Sequence, residues 1–299
     1  MSTTTTTTTT PDTAARSGAL LADATRLGGV ELAVTDLDRS LDFYTRVIGL
    51  TLRERGDGVA ALGAGGEDLV TLHADPAARP AHGSGLYHYA LLFPSREELA
   101  HAGRRVAESA TPIDGASDHG THEAIYLPDP DGIGIELAAD RPRERWPDVR
   151  SGALFSAGPP QPLDIGGLFE TVAQEPTRPL ADRALTMGHV HLHVGDLDAA
   201  SRFYIDGLGF ELMMGLPTAR FVSAGGYHHH VAYNVWRGVG APAAPAGAIG
   251  LRHWTLVTAG AAEHAAVRER LSALGVALEE RDGGATLARD PFGIAVLIR

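Results

Sequence analysis

The chain has 299 residues, 44% apolar and 21% charged, with a formal net charge of −12. That length is enough for two cores, the acidic balance excludes a basic nucleic-acid surface, and no apolar run approaches the roughly eighteen residues of a membrane span. Cysteine is absent, which removes disulfides, thiolate metal sites and cysteine nucleophiles and fits a reducing, cytoplasmic setting.

Residues 1–25 open with a threonine run, Thr3–Thr10. It lacks the basic, apolar, small-residue order of a signal peptide and has no apolar pattern to bury, so this tail is expected to be without fixed structure. From Gly28 to Asp75 the pattern predicts a strand (VELAV), a helix over Asp38–Val47 capped by Asp36 or Asp38 and closed by Gly49, then three strands (LTLRERG, GVAALGA, DLVTLHA). From Gly85 to Asp140 it predicts LYHYALLF as a strand and a helix from Ser95, with Glu98 at capping-box spacing. Strands EAIYL and GIELAA follow, around an Asp-Pro-Asp-Gly turn. Residues 141–185 are rich in Pro and Gly and read as a linker with one short helix near Ile165–Gln174.

The pattern then starts again. VELAVTDLDRSLDFYTRVIGL (Val30–Leu50) returns as VHLHVGDLDAASRFYIDGLGF (Val190–Phe210), with Asp36, Phe43, Tyr44 and Gly49 recurring as Asp196, Phe203, Tyr204 and Gly209. DPDGIGIEL (Asp129–Leu137) returns as DPFGIAVLI (Asp290–Ile298). Gly188–Trp236 thus repeats the first unit and Gly250–Arg299 the second, and His253 in GLRHWTLV matches His88 in GLYHYALL. The fold class is α+β: four βαβββ modules in two tandem domains, 26–140 and 186–299.

Four such modules, with the repeated D-L-x-x-[SA]-x-x-F-Y-x-x-x-[IL]-G segment, resemble the vicinal oxygen chelate superfamily of glyoxalases, bleomycin- and fosfomycin-resistance proteins and extradiol dioxygenases. Within it the chain looks most like the two-domain catechol 2,3-dioxygenases, on the strength of GLYHYALLFPSREELA, SDH, YLPDPDGIGIELAADRP, MGHVHLHV and SAGGYHHHVAYNVW. The resemblance implies a cup lined by two modules, a ligand on the first strand of each and a Glu on the last strand of one. Carried over, these positions are His88 and Glu136 in module two and His189 in module three. The matching positions elsewhere hold Gly29, His253 and Leu297. Only the pairing of modules two and three assembles two His and a carboxylate, so that pairing is expected; pairing three with four would leave the triad without its Glu.

The residues support a polar cavity independently. His189, His191 and His193 alternate with Val190, Leu192 and Val194, which puts the three imidazoles on one face of a strand. Such a face is costly to bury without partners, as is Glu136 in an otherwise apolar strand. A His-His-carboxylate facial triad suits Fe(II) or Mn(II). By resemblance His229 is the acid–base group, on a strand YHHHVAYN, with His228 and His230 one register step away. Tyr126 donates to a catechol oxygen, and His119 is a further group near the substrate. The expectation is an Fe(II) extradiol dioxygenase taking a small aromatic diol and O2, with no nucleic-acid or membrane partner and homo-oligomerisation left open. Glyoxalase-type isomerisation, transfer to fosfomycin and metal-free antibiotic binding are the alternatives.

Overall fold

Asp36 accepts the backbone N–H of Arg39 and opens helix α1 (Leu37–Phe43). The expected helix does not continue regularly to Val47, because the chain widens into a π-helical stretch over Tyr44–Ile48 that ends at Gly49, φ +86°. Module three does the same: α4 (Leu197–Ser201) is capped by Asp196, widens over Arg202–Gly207, and Gly209 has φ +97°. A positive φ at both positions explains why glycine recurs there.

The computed structural model describes residues 20–147 and 159–299. Module one contributes β1 (Arg26–Val34), β2 (Thr51–Gly56), β3 (Val59–Gly63) and β4 (Asp68–Ala74). Module two contributes β5 (Gly85–Phe93), β6 (Gly115–Asp118), β7 (His122–Pro128) and β8 (Gly134–Asp140), with helix α2 (Arg96–Glu108) capped by Ser95. The strand β6, made of GASD, has no hydrophobic alternation and was not expected. A two-residue strand β9 (Gln161–Pro162) and helix α3 (Ile165–Glu170) follow. Module three holds β10 (Thr186–His193), β11 (Glu211–Leu216), β12 (Ala219–Ser223) and β13 (Val231–Asn234). Module four holds β14 (Gly250–Val257), helix α5 (Ala261–Ala273), β15 (Leu278–Glu280), β16 (Thr286–Arg289) and β17 (Ala295–Ile298).

The strands form two sheets, each drawing one module from either half of the sequence. One runs β15-β16-β17-β14-β1-β4-β3-β2 and joins modules four and one; the other runs β11-β12-β13-β10-β5-β8-β7-β6-β9 and joins modules three and two. The expected pairing of two with three is therefore the one formed. Its seam is antiparallel β10–β5, with His191 opposite His88 and His189 opposite Ala90.

Val190 and Leu192 of β10, with Val194 just past its end, are fully buried and join the core with Tyr204 and Phe210. Residues 20–25 depart from the expected structureless tail: Leu21 is buried and donates to the Gly209 carbonyl, and Thr25 donates to Glu263 at 2.6 Å. Residues 1–19, with the threonine run, lie outside the described residues, as do 148–158 of the linker.

Candidate metal centre

In the strand register β10–β5–β8–β7, one row reads His189, Ala90, Glu136, Tyr126. Residues opposite one another on neighbouring strands share a face, so His189 and Glu136 flank the small side chain of Ala90 and can meet across it. They do: His189 Nε2 lies 3.0 Å from Glu136 Oε2. His88, two residues before Ala90 on β5, brings its Nε2 to 3.1 Å from the same oxygen and 3.3 Å from His189 Nε2. All three side chains are buried.

Burial opposes charge on Glu136, yet the imidazoles of His189, His122 and His88 around it hold its carboxyl well below the usual range, so it is ionised. Burial keeps His189 neutral, against the pull of Glu136. Ligand atoms about 2.1 Å from an octahedral ion stand about 3 Å apart on one face. The three edges here match that spacing. Two imidazole nitrogens and a carboxylate oxygen converging in a buried space also match the donor set of a divalent cation. The residues present fit a metal.

Glu136 Oε1 has no aligned hydrogen-bond donor, although His122 Nε2 lies 3.1 Å away. His122 stands on β7 opposite Asp140 and shares a face with Tyr126. With His228 and Asp140 it makes a second group of close potential ligands. That group differs from the first. The rings of His122 and His228 stack at 4.5 Å and 14°, so their lone pairs run side by side, and His228 Nε2 is already engaged with Asp140 Oδ1 at 3.1 Å. It suits a hydrogen-bonded surround to the triad.

His229 is not on a strand. β13 begins only at Val231, and Tyr227–His230 is irregular. This corrects the expected strand YHHHVAYN, in which period two would send alternate His to opposite faces. Freed from that period, His228 and His229 both line the cavity, and His230 instead accepts the backbone N–H of Ala224. The His229 ring lies 4.1 Å from that of His189, tilted by 43°. Burial, then the neighbouring imidazoles, hold His228 and His229 well below the ordinary histidine range, so both are neutral.

Asp140 is pushed up to about 6 by burial, partly countered by His122, and is ionised at neutral pH. It accepts from Tyr227 at 3.2 Å and from His228 Nε2. His228 Nδ1, then unprotonated, accepts from His229 Nδ1 at 2.8 Å. This chain leaves His229 Nε2 with a free lone pair.

Tyr126 stands beside Glu136, and its hydroxyl is pushed far up by burial and then by the Glu136 charge. His119 Nε2 lies 2.8 Å from that hydroxyl and its ring stacks on His122. Burial and then His122 lower His119 to about 4. Asn234 is held between His191 and His193, at 2.9 and 2.8 Å. Trp236 lies at the cavity rim, half exposed.

The cup of modules one and four is different. His253 faces Glu31 at 3.6 Å, and Glu31 is taken by His73 at 2.6 Å. Leu297 stands where module two has Glu136. At Gly29 a Cβ would lie 2.4 Å from the Asp68 carbonyl oxygen, so this position has no room for a ligand.

Residues 26–137 and 186–298 both match the Glyoxalase/Bleomycin resistance protein/Dioxygenase superfamily. The chain belongs to this superfamily. It is 40% identical over 279 residues to the catechol-2,3-dioxygenase of Bacillus subtilis (strain 168), a match covering 91% of this chain and 96% of that one. Its fold is shared with a solved Bacillus subtilis chain described as a candidate dioxygenase, with TM-score 0.66, 15% identity, and 94% and 86% coverage. It is also shared with glyoxalase I from Zea mays, with TM-score 0.57, 20% identity, and 92% coverage of each. Among the described residues, the buried triad of His88, Glu136 and His189 is a group that could hold a metal ion.

Sequence reasoning did not find His122, Asp140 or the part played by His228. A signal for His122 was present, because it precedes Tyr126 by an even number of residues on the same strand and so shares its face.

Proposed function

We propose that this member of the superfamily is an Fe(II)-dependent extradiol dioxygenase that opens a catechol-type ring with O2 to a semialdehyde. The observation that carries this is the buried triad of His88, Glu136 and His189, with edges of 3.0–3.3 Å, in a chain 40% identical to a catechol-2,3-dioxygenase. His88, Glu136 and His189 would hold Fe(II), which when bound would supply Lewis acidity toward the diol and the redox chemistry that lets it react with O2.

The chain's own groups do the rest. Two neutral imidazoles and one carboxylate offset half the charge of a divalent ion, which leaves the site matched to a catechol that has lost one proton. His229, unprotonated at Nε2 by the Asp140–His228 chain, accepts that proton and later returns it. Tyr126 stays protonated. With His119 donating from Nε2 to the tyrosine oxygen, the phenolic hydrogen, which faces Glu136 in the metal-free site, turns to a catechol oxygen once the carboxylate is taken up by the metal. The buried surround of His122 and His228 restricts water around the reacting atoms. Both atoms of O2 enter the product and no outside reductant is consumed.

The test is to load the protein with Fe(II) without oxygen, add catechol or a 4-alkylcatechol, then admit ¹⁸O₂. A yellow ring-opened product carrying two labelled atoms is expected. A muconic acid, or no oxygen uptake across a broad catechol panel, defeats the proposal.

A further inference from the structure

The cavity above the triad has a volume of about 670 Å³. That falls within the roughly 300–1,000 Å³ of sites that enclose drug-sized ligands, and it is several times what a bare catechol ring fills. Its two sides differ. The module-two side presents Ser117, Asp118, His119, His122 and Tyr126, the groups that would face a diol. The module-three side presents Met214, Leu216, Phe221 and Trp236. Phe221 stands edge-on to His229 at 5.2 Å, and Trp236 lies 5.1 Å from His191, so the apolar wall begins beside the metal centre.

The charges are as one-sided as the walls. Among the described residues lining the cavity there is no arginine, and the chain contains no lysine. Asp114 and Asp118 line it. The neighbouring arginines are already paired: Arg141 with Asp118 of the cavity wall and with Glu123, Arg143 with the Gly225 carbonyl, and Arg220 with the Leu216 and Ala219 carbonyls. A carboxylate entering this space would lose its water and, among the described lining residues, meet neutral donors but no arginine or lysine to balance its charge.

Resting on the dioxygenase reading for the diol itself, we infer that the cavity selects catechols bearing an uncharged apolar substituent, seated against Met214, Leu216, Phe221 and Trp236, and rejects those bearing a carboxylate. Burying one methylene strengthens binding about fourfold, and a carboxylate without a balancing cation weakens it.

The experiment is anaerobic calorimetry on the Fe(II)-loaded full chain with matched pairs of ligands. One pair is 4-propylcatechol and 3-(3,4-dihydroxyphenyl)propanoate; the other, lacking the diol, is 4-propylphenol and 3-(4-hydroxyphenyl)propanoate. In both pairs the neutral member is expected to bind at least ~10-fold more tightly. Leu216→Arg and Met214→Arg, both at half-buried positions, are expected to shrink or reverse the ratio while retaining the circular dichroism of the parent. An acid that binds as tightly as its neutral partner, or a ratio unmoved in both folded variants, overturns the inference. If the neutral preference holds in both pairs but no catechol is oxidised when oxygen is admitted, the selectivity stands and the dioxygenase reading falls.

Discussion

His189 Nε2 and Glu136 Oε2 stand 3.0 Å apart although two strand spacings separate their backbones, because Ala90 between them presents only a methyl group. The register, and not the proximity of the residues in sequence, makes the centre. It follows that Ala90→Leu should abolish metal binding without removing any ligand, since its larger side chain would stand in the row between the imidazole and the carboxylate. His88→Ala, His189→Ala and Glu136→Gln should each lower iron affinity by at least ~100-fold. His253→Ala should leave metal content unchanged. Metal analysis of the purified variants decides. Retention of iron in the first four, or its loss in the last, would move the site elsewhere.

His229→Ala should keep iron but lower turnover by about 100- to 10,000-fold, the range for one acid–base group. Asp140→Asn addresses the tautomer. The amide can donate to His228 Nε2 where the carboxylate only accepts, and the proton pattern that frees His229 Nε2 is then no longer enforced. The expected result is a fall of about 10- to 100-fold in kcat with a shifted acidic limb in the pH–rate profile and unchanged metal content. A profile identical to the parent's would remove Asp140 from the proton chain.

Tyr126→Phe removes one hydrogen bond to an ionised diol. Such a bond contributes about 1.5–3 kcal/mol, so kcat/KM should fall about 10- to 100-fold with iron retained. Unaltered kinetics would leave Tyr126 as a packing residue and free His119 from its proposed part.

Much of this was legible in the sequence for a physical reason. Strand alternation put His189, His191 and His193 on one face, and the duplicated modules separated positions that the fold needs, such as Gly49 and Gly209, from those that only module two or three keeps, such as Glu136. What period and repeat could not show is where a strand stops. The run Tyr227–His230 carries strand-like neighbours, yet its backbone is irregular, and that irregularity admits both His228 and His229 to the cavity. Nor does spacing show cross-strand partners. Asp140 meets His228 across 88 residues, a contact that only the joining of modules two and three creates.

The metal-free protein should lose stability in mild acid. Burial lowers His119 and His230 to about 4, and holds His191, His228 and His229 well below their ordinary range. Between about pH 6.5 and 4 the unfolded chain therefore binds more protons than the folded one at these sites, and stability falls as pH falls. Asp129, Asp140 and Asp290, each raised to about 6 by burial, act in the opposite sense over part of that window. The histidines are more numerous, so the net slope follows them. Urea midpoints measured from pH 7 to 5 should decrease; a midpoint that stays level or rises would mean that the imidazole cluster accepts charge within the fold.

The cup of modules one and four should resist repair. Gly29→His with Leu297→Glu would restore, with His253, the side-chain types of the working triad. Yet a Cβ at position 29 would sit 2.4 Å from the Asp68 carbonyl oxygen, and backbone there cannot swing aside as a flexible side chain would. Glu31 also already occupies the cup, bound to His73. The double variant is expected to be destabilised by about 1–3 kcal/mol, as for overpacking elsewhere, and to bind still only one metal per chain. Thermal unfolding and metal stoichiometry measure the two effects separately. A variant that keeps its melting temperature and binds a second iron would show that β1 can yield, and that the first cup is special only in its side chains.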